Sequence, residues 1–433
     1  MYRARGVTPD QKEAPMVATD RLIFHCDCNN FFASCECLER PELKSVPMAV
    51  AGDPEYRTGI VVAKNELAKR AGVKTTDTVW QAQRKCPGIV FVPPRHSYYS
   101  EISDRVNAIY RDYTEYVEPA SIDESYLDMT GTPKFYSMTP VELADALRKR
   151  VREEIGITIS VGVSYNKVFA KMGSDYKKPD ATTVITRENY REILWPLPVS
   201  DLMFAGRATV EVLHKKLIMT VGDLAQRDRE YMRDLLGKGG EQLWIYANGL
   251  DQEQVRLWGD VEEVKSVSRG MTFRRDLVTQ QEIRSGLSVL ADEVATQLRR
   301  ENLKGSVIQV QIKTPALKSY SRQTTLPHYT HLQKEILDTA MQLLQTNWNI
   351  GSSAPIRAMT VGVTHLVPVD EVAEQLSLFD MGVVNDGKQI NRERQERLEE
   401  AVDQLRQKHG MGSITHGIRD NADIGIGRHK KGT

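Results

Sequence analysis

The feature that most constrains the fold is a carboxylate at the end of an apolar strand. Residues 22–26 form the apolar run LIFHC, which predicts a buried strand, and Asp27 follows it directly. A second acidic pair, Asp123 and Glu124, lies in another strand-like segment far along the chain. Only folding could bring these three carboxylates together, so a shared site requires two strands distant in sequence to lie near each other.

The acidic pair sets a further condition on its own strand. Adjacent residues of an ideal strand point to opposite faces, so Asp123 and Glu124 can share a site only where the strand start is bent or irregular. Hard divalent cations take oxygen ligands, and two ions about 3.5–4 Å apart can organise a phosphoryl displacement. Each acid taken alone is most often a solvated surface charge, and Asp128 on the same strand keeps that interpretation.

Strands and helices alternate through most of the chain, which predicts an α+β fold. At 433 residues the chain exceeds one small core, so several domains are expected. Helices are predicted near 96–116 and 139–155. Residues 1–19 are polar and predict a disordered lead-in, and residues 253–265, rich in Glu, Asp and Val, can serve as a linker.

The charge composition does not decide between partners. Lys and Arg together number 58, as do Asp and Glu, and the resulting zero net charge neither indicates nor excludes nucleic acid, because binding depends on local patches. No run of about 20 apolar residues could span a bilayer, and the N-terminus lacks the apolar stretch of a signal peptide. We therefore expect a cytoplasmic protein without a membrane segment.

The five cysteines include two Cys-x-Cys pairs, Cys26 with Cys28 and Cys35 with Cys37. Structural zinc sites usually space their ligands by two to four residues, so zinc is the less favoured interpretation. On a strand, Cys26 and Cys28 would share one face as small buried side chains, while Asp27 would point to the other.

Three segments carry a specific resemblance. FHCDCNNFFASCE, SIDESYLD and GVSYNKVFAKMGSDYKKP resemble the successive palm motifs of the Y-family, or translesion, DNA polymerases, in the same order and at similar spacing. The resemblance runs from about residue 20 to about residue 380 and implies a multidomain right-hand polymerase. It places a ferredoxin-like palm at 20–38 and 96–185, small fingers at 39–95 and a helical thumb at 186–252. An α/β little-finger domain would follow at 266–370 and a tail at 371–433.

The resemblance implies a template-directed, low-fidelity DNA polymerase without a proofreading nuclease. Its substrates would be primer–template DNA and deoxynucleoside triphosphates, and its cofactors Mg²⁺ ions or Mn²⁺ in their place. Asp27, Asp123 and Glu124 fall on the family's metal ligands, with Asp123 and Glu124 as the catalytic pair and the backbone carbonyl of Cys28 as a further metal contact. We expect a monomer.

Two further groups belong to the nucleotide pocket. By resemblance Phe32 is the steric gate that clashes with a ribose 2′-hydroxyl, whereas Phe31 is either a pocket residue or a core residue. Lys167, Lys171 and Lys178 have a spacing that would place them on one side of a helix as a basic stripe. Pro179 predicts that the helix ends at Lys178, which could aim that lysine differently. The resemblance assigns Lys178 to the triphosphate.

The predicted fingers depart from the family pattern. Glu66 and Lys69 stand where the family has a tyrosine and an arginine that bind the nucleotide. Lys69 can replace a point charge but not a bidentate fork, and Glu66 cannot act as a tyrosine does. The resemblance therefore leaves the phosphate contact of the fingers with Lys69 alone.

Two regions are expected to hold DNA. Residues 197–225 resemble the thumb's helix-hairpin-helix, in which amides near Gly206 would reach a phosphate, although Phe204 replaces the first glycine of the hairpin. Packed helices that bind nothing are the alternative. In the little finger, strand alternation would place on one sheet face a subset of the cations Arg269, Arg274, Arg275, Lys313, Lys318 and Arg322, which otherwise are solvated edge charges.

The tail carries two features. QLSLFD resembles the bacterial sliding-clamp-binding peptide, with predicted contacts at Gln375, Leu376, Leu378 and Phe379, although these side chains could dock on their own domain instead. A charged helix near 388–408 has a thin apolar stripe and is interpreted as a solvated helix that docks weakly on its own protein.

Two other functions stay open. A non-catalytic DNA-binding protein recruited by the clamp would leave Asp27, Asp123 and Glu124 unexplained. A nucleotide cyclase can share a palm-like fold and two-metal chemistry, but it needs neither the thumb hairpin nor the clamp peptide. Primer dependence separates the polymerase from the cyclase.

Overall fold

The computed structural model of the protein describes residues 21–54, 57, 59–260, 263–348, 353–371, 386–410, 413–414 and 424–426. The chain divides into two compact units, Met1–Ala51 with Val61–Asp260, and Gly52–Ile60 with Val261–Thr433. Within the described ranges, no helix combines the length and the apolar character needed to cross a membrane. The lead-in predicted at 1–19 lies outside these ranges.

A five-stranded sheet forms the centre of the first unit. Its strand order is β5-β6-β1-β7-β8, so the strand that carries Asp27 lies in the middle. This central strand is antiparallel to both neighbours and buried along its whole length. In chain order the strands are β1 (Ile23–Cys28), β5 (Val117–Pro119), β6 (Glu124–Asp128), β7 (Ile159–Ser164) and β8 (Thr182–Val184).

The two faces of this sheet carry different helices. Cys26 and Cys28 point with Phe24 into an apolar core shared with α1 (Phe31–Glu39), α4 (His96–Arg111) and α6 (Pro140–Glu154). All five cysteines are free and buried. Alternation then turns Ile23, His25 and Asp27 toward the opposite face, where α7 (Lys167–Tyr176) lies.

A glycine allows α7 to approach the sheet closely. A Cβ atom at Gly162 of β7 would lie 1.8 Å from the carbonyl oxygen of Ala170 in α7, so no larger residue fits there. The close approach brings the lysines of α7 within reach of the carboxylates on β1 and β6.

A smaller sheet follows the first helix. It has three strands, β2 (Met48–Ala51), β3 (Val61–Lys64) and β4 (Val90–Val92), in the order β3-β2-β4. Two short helices, α2 (Glu66–Arg70) and α3 (Val79–Lys85), pack on it through small buried residues. The helix α5 (Thr132–Tyr136) follows β6 in the larger sheet.

The rest of the first unit is helical. Five short helices share one apolar core and are α8 (Tyr190–Leu194), α9 (Arg207–Lys215), α10 (Val221–Ala225), α11 (Arg229–Leu236) and α12 (Lys238–Ala247). The segment predicted as a linker from residue 253 packs back on this unit as far as Trp258. Val255 is buried, the Arg256 amide donates to Glu118 Oε2 at 3.0 Å, and the Trp258 amide donates to the Glu115 carbonyl at 2.9 Å.

The second unit contains a four-stranded antiparallel sheet. Its strand order is β11-β10-β12-β9, and α13 (Gln280–Arg300) and α14 (Gln333–Asn347) share its apolar core. The four strands are long, which gives the sheet a broad face: β9 (Ser266–Leu277), β10 (Leu303–Lys313), β11 (Ser319–Thr330) and β12 (Ile356–Pro368).

The last helix, α15 (Asp386–His409), docks on the second unit through charges. Arg406 donates to both oxygens of Asp292 at 2.9 Å each, and their side chains are only 2 % and 6 % exposed. The predicted weak docking was therefore wrong: the apolar residues Leu398 and Leu405 stay exposed, and a charged side of the helix is buried. We call the contacting set the ionic seam: Asp292, Arg299, Lys304, Glu396, Glu399, Asp403 and Arg406.

Candidate active site

Two of the predicted carboxylates face each other across neighbouring strands. Asp27 near the end of β1 is the register partner of Glu124 at the start of β6. Asp123 lies just before β6, in an irregular turn, and its carbonyl accepts the Cys28 amide at 2.9 Å. The strand start is therefore irregular, as a shared site requires, and the three acidic residues meet at one end of the sheet.

A cavity opens over these carboxylates. Its volume is about 310 Å³. Its wall combines acids, two phenylalanine rings, basic side chains and residues of the smaller sheet: Asp27, Cys28, Asn30, Phe31, Phe32, Val62, Ala63, Lys64, Thr75, Ile122, Asp123, Glu124 and Lys178. The structure thus brings together all the predicted metal ligands, Phe31, Phe32 and Lys178.

Two lysines neutralise the acids. Lys171 Nζ lies 2.6 Å from Glu124 Oε1 and 3.2 Å from Asp27 Oδ2. Lys178 Nζ lies 2.5 Å from Asp27 Oδ2. Both ammonium groups also contact Asp175, at 3.2 Å and 2.7 Å. The helical spacing of Lys171 predicts a place on a basic stripe, but nothing in the sequence indicated that it would bridge the two carboxylates.

The third lysine of the predicted stripe does not join this site. Lys167 is buried, and its Nζ lies 2.7 Å from both Glu118 Oε2 and Glu253 Oε1. Helix α7 also ends at Tyr176, so Lys178 is presented by the turn beyond the helix. The expected stripe of three lysines on one helix was therefore wrong, because the partners of Lys167 come from segments distant in sequence.

The acids Asp27 and Glu124 ionise differently. Burial and the hydrogen bond with Asp27 raise the pKa of Glu124 to about 7, against the attraction of Lys171. Burial also opposes ionisation of Asp27, but the hydrogen bond with Glu124 and the charges of Lys178 and Lys171 outweigh it, so the pKa of Asp27 lies below its usual value. Near neutral pH, Glu124 exchanges a proton while Asp27 stays ionised.

A buried histidine supports this pair from the side of α7. His25 Nδ1 hydrogen bonds with Ser174 Oγ at 2.8 Å, and its ring meets Tyr126 edge-on at 4.7 Å. Burial and the charge of Lys171 lower the pKa of His25, so its ring is neutral at the back of the acid pair. The strand alternation that singled out Asp27 also turns His25 to the same face, a signal that the sequence contained.

The donor set fits a hard divalent cation. Within the described part of the chain, no three His, Cys, Asp or Glu side chains converge closely enough to hold a metal ion as they stand. The carboxylate donors nevertheless present only oxygen atoms, which hard cations prefer, and the ammonium groups of two lysines neutralise Asp27 and Glu124. Lysine side chains can move away when another cation replaces them, which makes the donors Asp27, Asp123 and Glu124 compatible with Mg²⁺.

The smaller sheet contributes a different cation from the one predicted. Lys64 and Thr75 line the cavity, and Lys64 Nζ donates to Thr75 Oγ1 at 3.1 Å. Lys69 is absent from the described cavity wall and lies 3.5 Å from Glu66. Glu66 instead accepts a hydrogen bond from Asn30 Nδ2 at 3.0 Å, which ties α2 to the start of α1.

Comparison with known proteins identifies the family. The family model "impB/mucB/samB family" matches residues 26–175, and that of its C-terminal domain matches residues 264–378. The chain belongs to the impB/mucB/samB family, that of the Y-family DNA polymerases. The first match contains the three acids and every residue named in the cavity wall except Lys178.

Relatives of this Y-family chain match it over nearly its whole length. The protein named DNA polymerase IV from Acetivibrio thermocellus is 42 % identical over 92 % of this chain and 97 % of its own. DNA polymerase IV 1 of Bacillus subtilis is 36 % identical over 93 % of this chain and 94 % of its own. A Y-family DNA polymerase chimera of Dbh and Dpo4 shares the fold, with a TM-score of 0.70 at 23 % identity over 80 % of this chain and 99 % of that one.

In the second unit of this Y-family chain, the predicted DNA-binding cations divide between two faces of the sheet. Arg322 pairs in register with the buried Val310 and donates to Asn347 of α14, so it lies on the helical side. Arg269 and Arg275 likewise contact α13, through Gln297 and Glu282.

The other three cations, like Arg322, are exposed. Lys313 ends β10 on the face away from the helices, next to Ser319 in register, while Arg274 in β9 and Lys318 in the turn between β10 and β11 are exposed. The six predicted residues therefore do not form one surface, because those that touch α13 and α14 are turned toward the helices.

The hairpin before α9 has the expected glycine. Gly206 immediately precedes α9, where the backbone amides of the first helical turn are available to an anion. Phe204 adopts a positive φ of 65° and exposes most of its ring, although glycine is the residue that favours this backbone conformation. The clamp-peptide residues Gln375, Leu376, Leu378 and Phe379 lie outside the described residues.

Proposed function

We propose that the chain is a template-directed, low-fidelity DNA polymerase that acts in translesion synthesis and DNA damage tolerance. The observation that carries this proposal is the meeting of Asp27, Asp123 and Glu124 under a cavity that also holds Phe32 and Lys178. Family membership supports the same reaction class, because its relatives are named DNA polymerase IV.

In this proposal Asp27, Asp123 and Glu124, with the carbonyl of Cys28, hold two Mg²⁺ ions, or Mn²⁺ in their place. The bound ions would stabilise the negative charge that develops on oxygen as a primer hydroxyl displaces pyrophosphate from a deoxynucleotide. Asp27 is already ionised at neutral pH, while Glu124 must release its proton to become a ligand, since its pKa is about 7.

The basic side chains of the cavity then bind the triphosphate. Lys178 Nζ contacts Asp27 and Asp175 and lies at the cavity wall, so a short rotation of its side chain can transfer its charge to a phosphate oxygen. Lys64, which also lines the cavity, can contact the same group, and burial together with Lys69 lowers its pKa. Phe32 faces the sugar and Phe31 packs behind it in the core.

The other parts of the proposal concern DNA and partners. Amides beside Gly206 bind a backbone phosphate, and the exposed cations Arg274, Lys313 and Lys318 follow the duplex. Gln375, Leu376, Leu378 and Phe379 bind the bacterial sliding clamp. The enzyme works as a cytoplasmic monomer without a proofreading site.

The test is extension of a labelled primer on a template, with each deoxynucleotide supplied singly in the presence of Mg²⁺. Wild type should add the template-matched nucleotide in preference to the other three, and Asp123→Ala should add none. Asp128→Ala is the matched control, because it removes another acid from the segment at β6 but not from the cavity wall. DNA binding without extension by wild type would favour the clamp-recruited binding protein, and primer-independent cyclic product would favour a cyclase.

A further inference from the structure

The ring of Phe32 is supported by a second ring. Phe32 stacks on Tyr99 of α4, with ring centroids 4.3 Å apart and an interplanar angle of 16°. Phe32 lines the cavity, whereas Tyr99 is completely buried behind it. His96, one turn earlier on α4, meets the Phe32 ring edge-on at 5.7 Å. The face of Phe32 turned away from the cavity therefore has no space into which it could retreat without moving Tyr99.

A buried carboxylate fixes Tyr99 in turn. The Tyr99 hydroxyl donates to Glu36 Oε1 at 2.7 Å, and Glu36 lies one turn after Phe32 on α1 with no exposed surface. Arg95 donates to both oxygens of Glu36, through Nε and Nη2, at 3.0 Å each. Arg40 also contacts Glu36. We call Glu36, Arg95 and Tyr99 the gate support.

The gate support connects α1 with the start of α4. A buried carboxylate is tolerated only when it is fully hydrogen bonded, and a bidentate guanidinium contact fixes its orientation. Burial disfavours the charged form of Glu36, but hydrogen bonds from Arg95, Tyr99 and Arg40 outweigh it and hold its pKa below the usual value. Glu36 therefore stays ionised and holds α1 and α4 in a fixed position relative to each other.

A steric gate discriminates only if it does not yield. The 2′-hydroxyl of a ribonucleotide adds a single oxygen atom. A shift of the ring by less than the width of that atom would therefore be enough to admit both sugars. A ring facing water would shift at little cost, whereas a ring stacked on a hydrogen-bonded tyrosine must displace a packed core.

We propose that Glu36, Arg95 and Tyr99 are positioning residues that determine sugar selectivity by preventing displacement of the Phe32 ring. None of the three lines the described cavity wall, so they act through Phe32 and not on the nucleotide. The inference rests on the proposed function, in which Phe32 meets the sugar of the incoming nucleotide.

The test compares kcat/KM for one deoxynucleotide and for the ribonucleotide of the same base, opposite the same template base. Tyr99→Leu removes the stacked ring and should lower the ratio of the two values about tenfold, chiefly through faster ribonucleotide addition. Tyr99→Phe keeps the stack, and Glu36→Gln keeps an acceptor for the tyrosine. Each should lower the ratio about two- to threefold.

Two controls separate positioning from general damage. Tyr110→Leu removes another fully buried tyrosine from the same helix, and Tyr110 does not line the cavity, so any loss of activity should affect both sugars equally. In a Phe32→Ala background, Tyr99→Leu should change the ratio no further, because the ring that it supports is gone. A merely structural role would instead lower both rates and leave their ratio constant.

The outcomes distinguish the two proposals. A ratio that falls in Phe32→Ala but stays at the wild-type value in Tyr99→Phe, Tyr99→Leu and Glu36→Gln would overturn the gate support alone. If wild type adds no nucleotide, or if Phe32→Ala leaves the ratio unchanged, the proposed function or its steric gate fails and the gate support fails with it. Should Tyr99→Leu not fold, the two milder variants decide.

Discussion

The acidic cluster of the first unit, formed by Asp27, Asp123 and Glu124, and the ionic seam of the second unit use ion pairs in opposite ways. At the cluster, ammonium groups of Lys171 and Lys178 contact carboxylates that open on a cavity. In the seam, guanidinium groups of Arg299 and Arg406 contact carboxylates that are closed between a helix and its domain. One set of charges is accessible to a ligand and the other is sealed from it.

The choice of cation explains the difference. Arginine presents a rigid planar fork, and Arg406 uses it to contact both oxygens of Asp292 at 2.9 Å. Lysine is a point charge on a flexible stem, and Lys178 contacts a single oxygen of Asp27. The seam makes its bidentate contact with arginine, whereas the contacts at Asp27 and Glu124 that a substrate or a metal ion has to replace are made with lysine.

The largest expected effect separates the two regions by activity. Asp27→Asn should lower single-nucleotide addition by at least about a thousandfold, because it removes a charged metal ligand. Its melting temperature should change by less than about 3 °C, since the flanking lysines keep Glu124 and Asp175 as partners. Rapid-quench primer extension and thermal unfolding on one preparation check both values. Near-normal addition would contradict the assignment of Asp27.

Arg406→Met should have the reverse effect. Removing one partner of a buried ion pair leaves Asp292 charged and poorly solvated, which costs about 3–5 kcal/mol of unfolding free energy. Nucleotide addition per folded molecule should stay normal. Denaturant unfolding of this variant beside Arg397→Met, an exposed arginine of the same helix, provides the measurement and its control. Equal stabilities of the two variants would refute a structural seam.

Glu124→Gln should change how the stability of the protein depends on pH. Since the pKa of Glu124 rises to about 7 on folding, its charged form destabilises the metal-free fold. Below about pH 4.5 the wild type and the variant should have the same free energy of unfolding. As pH rises to about 7 the wild type should lose stability relative to the variant, and above that it should stay about 1–2 kcal/mol less stable. Melting curves in chelator from pH 5 to 8 test the sign. A wild type that gains stability over this range contradicts it.

Glu396→Gln should show the opposite pH dependence. The contact with His331 Nε2 at 3.5 Å, against the opposing effect of burial, and the contact with Lys304 lower the pKa of Glu396 to about 2. Ionised Glu396 should add about 1 kcal/mol to the free energy of unfolding, a value reduced for screening of its charge by solvent. This contribution is present above about pH 4.5 and is lost as pH falls toward 2. Unfolding of wild type and variant should therefore differ at pH 6 and converge in acid. A difference that grows in acid would exclude this pairing.

The smallest effect is expected at the apolar stripe of the same helix. Leu398 is 63 % exposed, so Leu398→Lys should change stability by less than about 0.5 kcal/mol. The measurement is chemical denaturation beside Arg406→Met. A loss comparable with that of Arg406→Met would mean that the helix docks through its leucines after all.

Some features of the site followed from local sequence. The apolar run before Asp27 predicts β1, and strand alternation alone separates Cys26 and Cys28 from Asp27, as observed. Helix α6 agrees with its predicted segment at both ends. Helix α4 begins where predicted but ends at Arg111, before the predicted end at residue 116. These features depend on neighbours within a turn or a strand, which the sequence displays directly.

Other features depend on contacts that no local pattern contains. Lys167 has the helical spacing of a site lysine, yet Glu118 and Glu253, both far away in sequence, bury it elsewhere. Arg322 was expected among the DNA contacts, but register with β10 turns it to the helical side. The gate support likewise joins residues of two separate helices, so only the folded chain shows that Glu36 holds Tyr99.

The most direct test measures nucleotide addition and thermal unfolding on the same samples of Asp123→Ala and Arg299→Met. We expect Asp123→Ala to melt like wild type and to add no nucleotide, and Arg299→Met to melt several degrees lower but to add nucleotide normally below its transition. An Asp123→Ala protein that extends a primer at the wild-type rate would contradict the central claim that these carboxylates form the polymerase site.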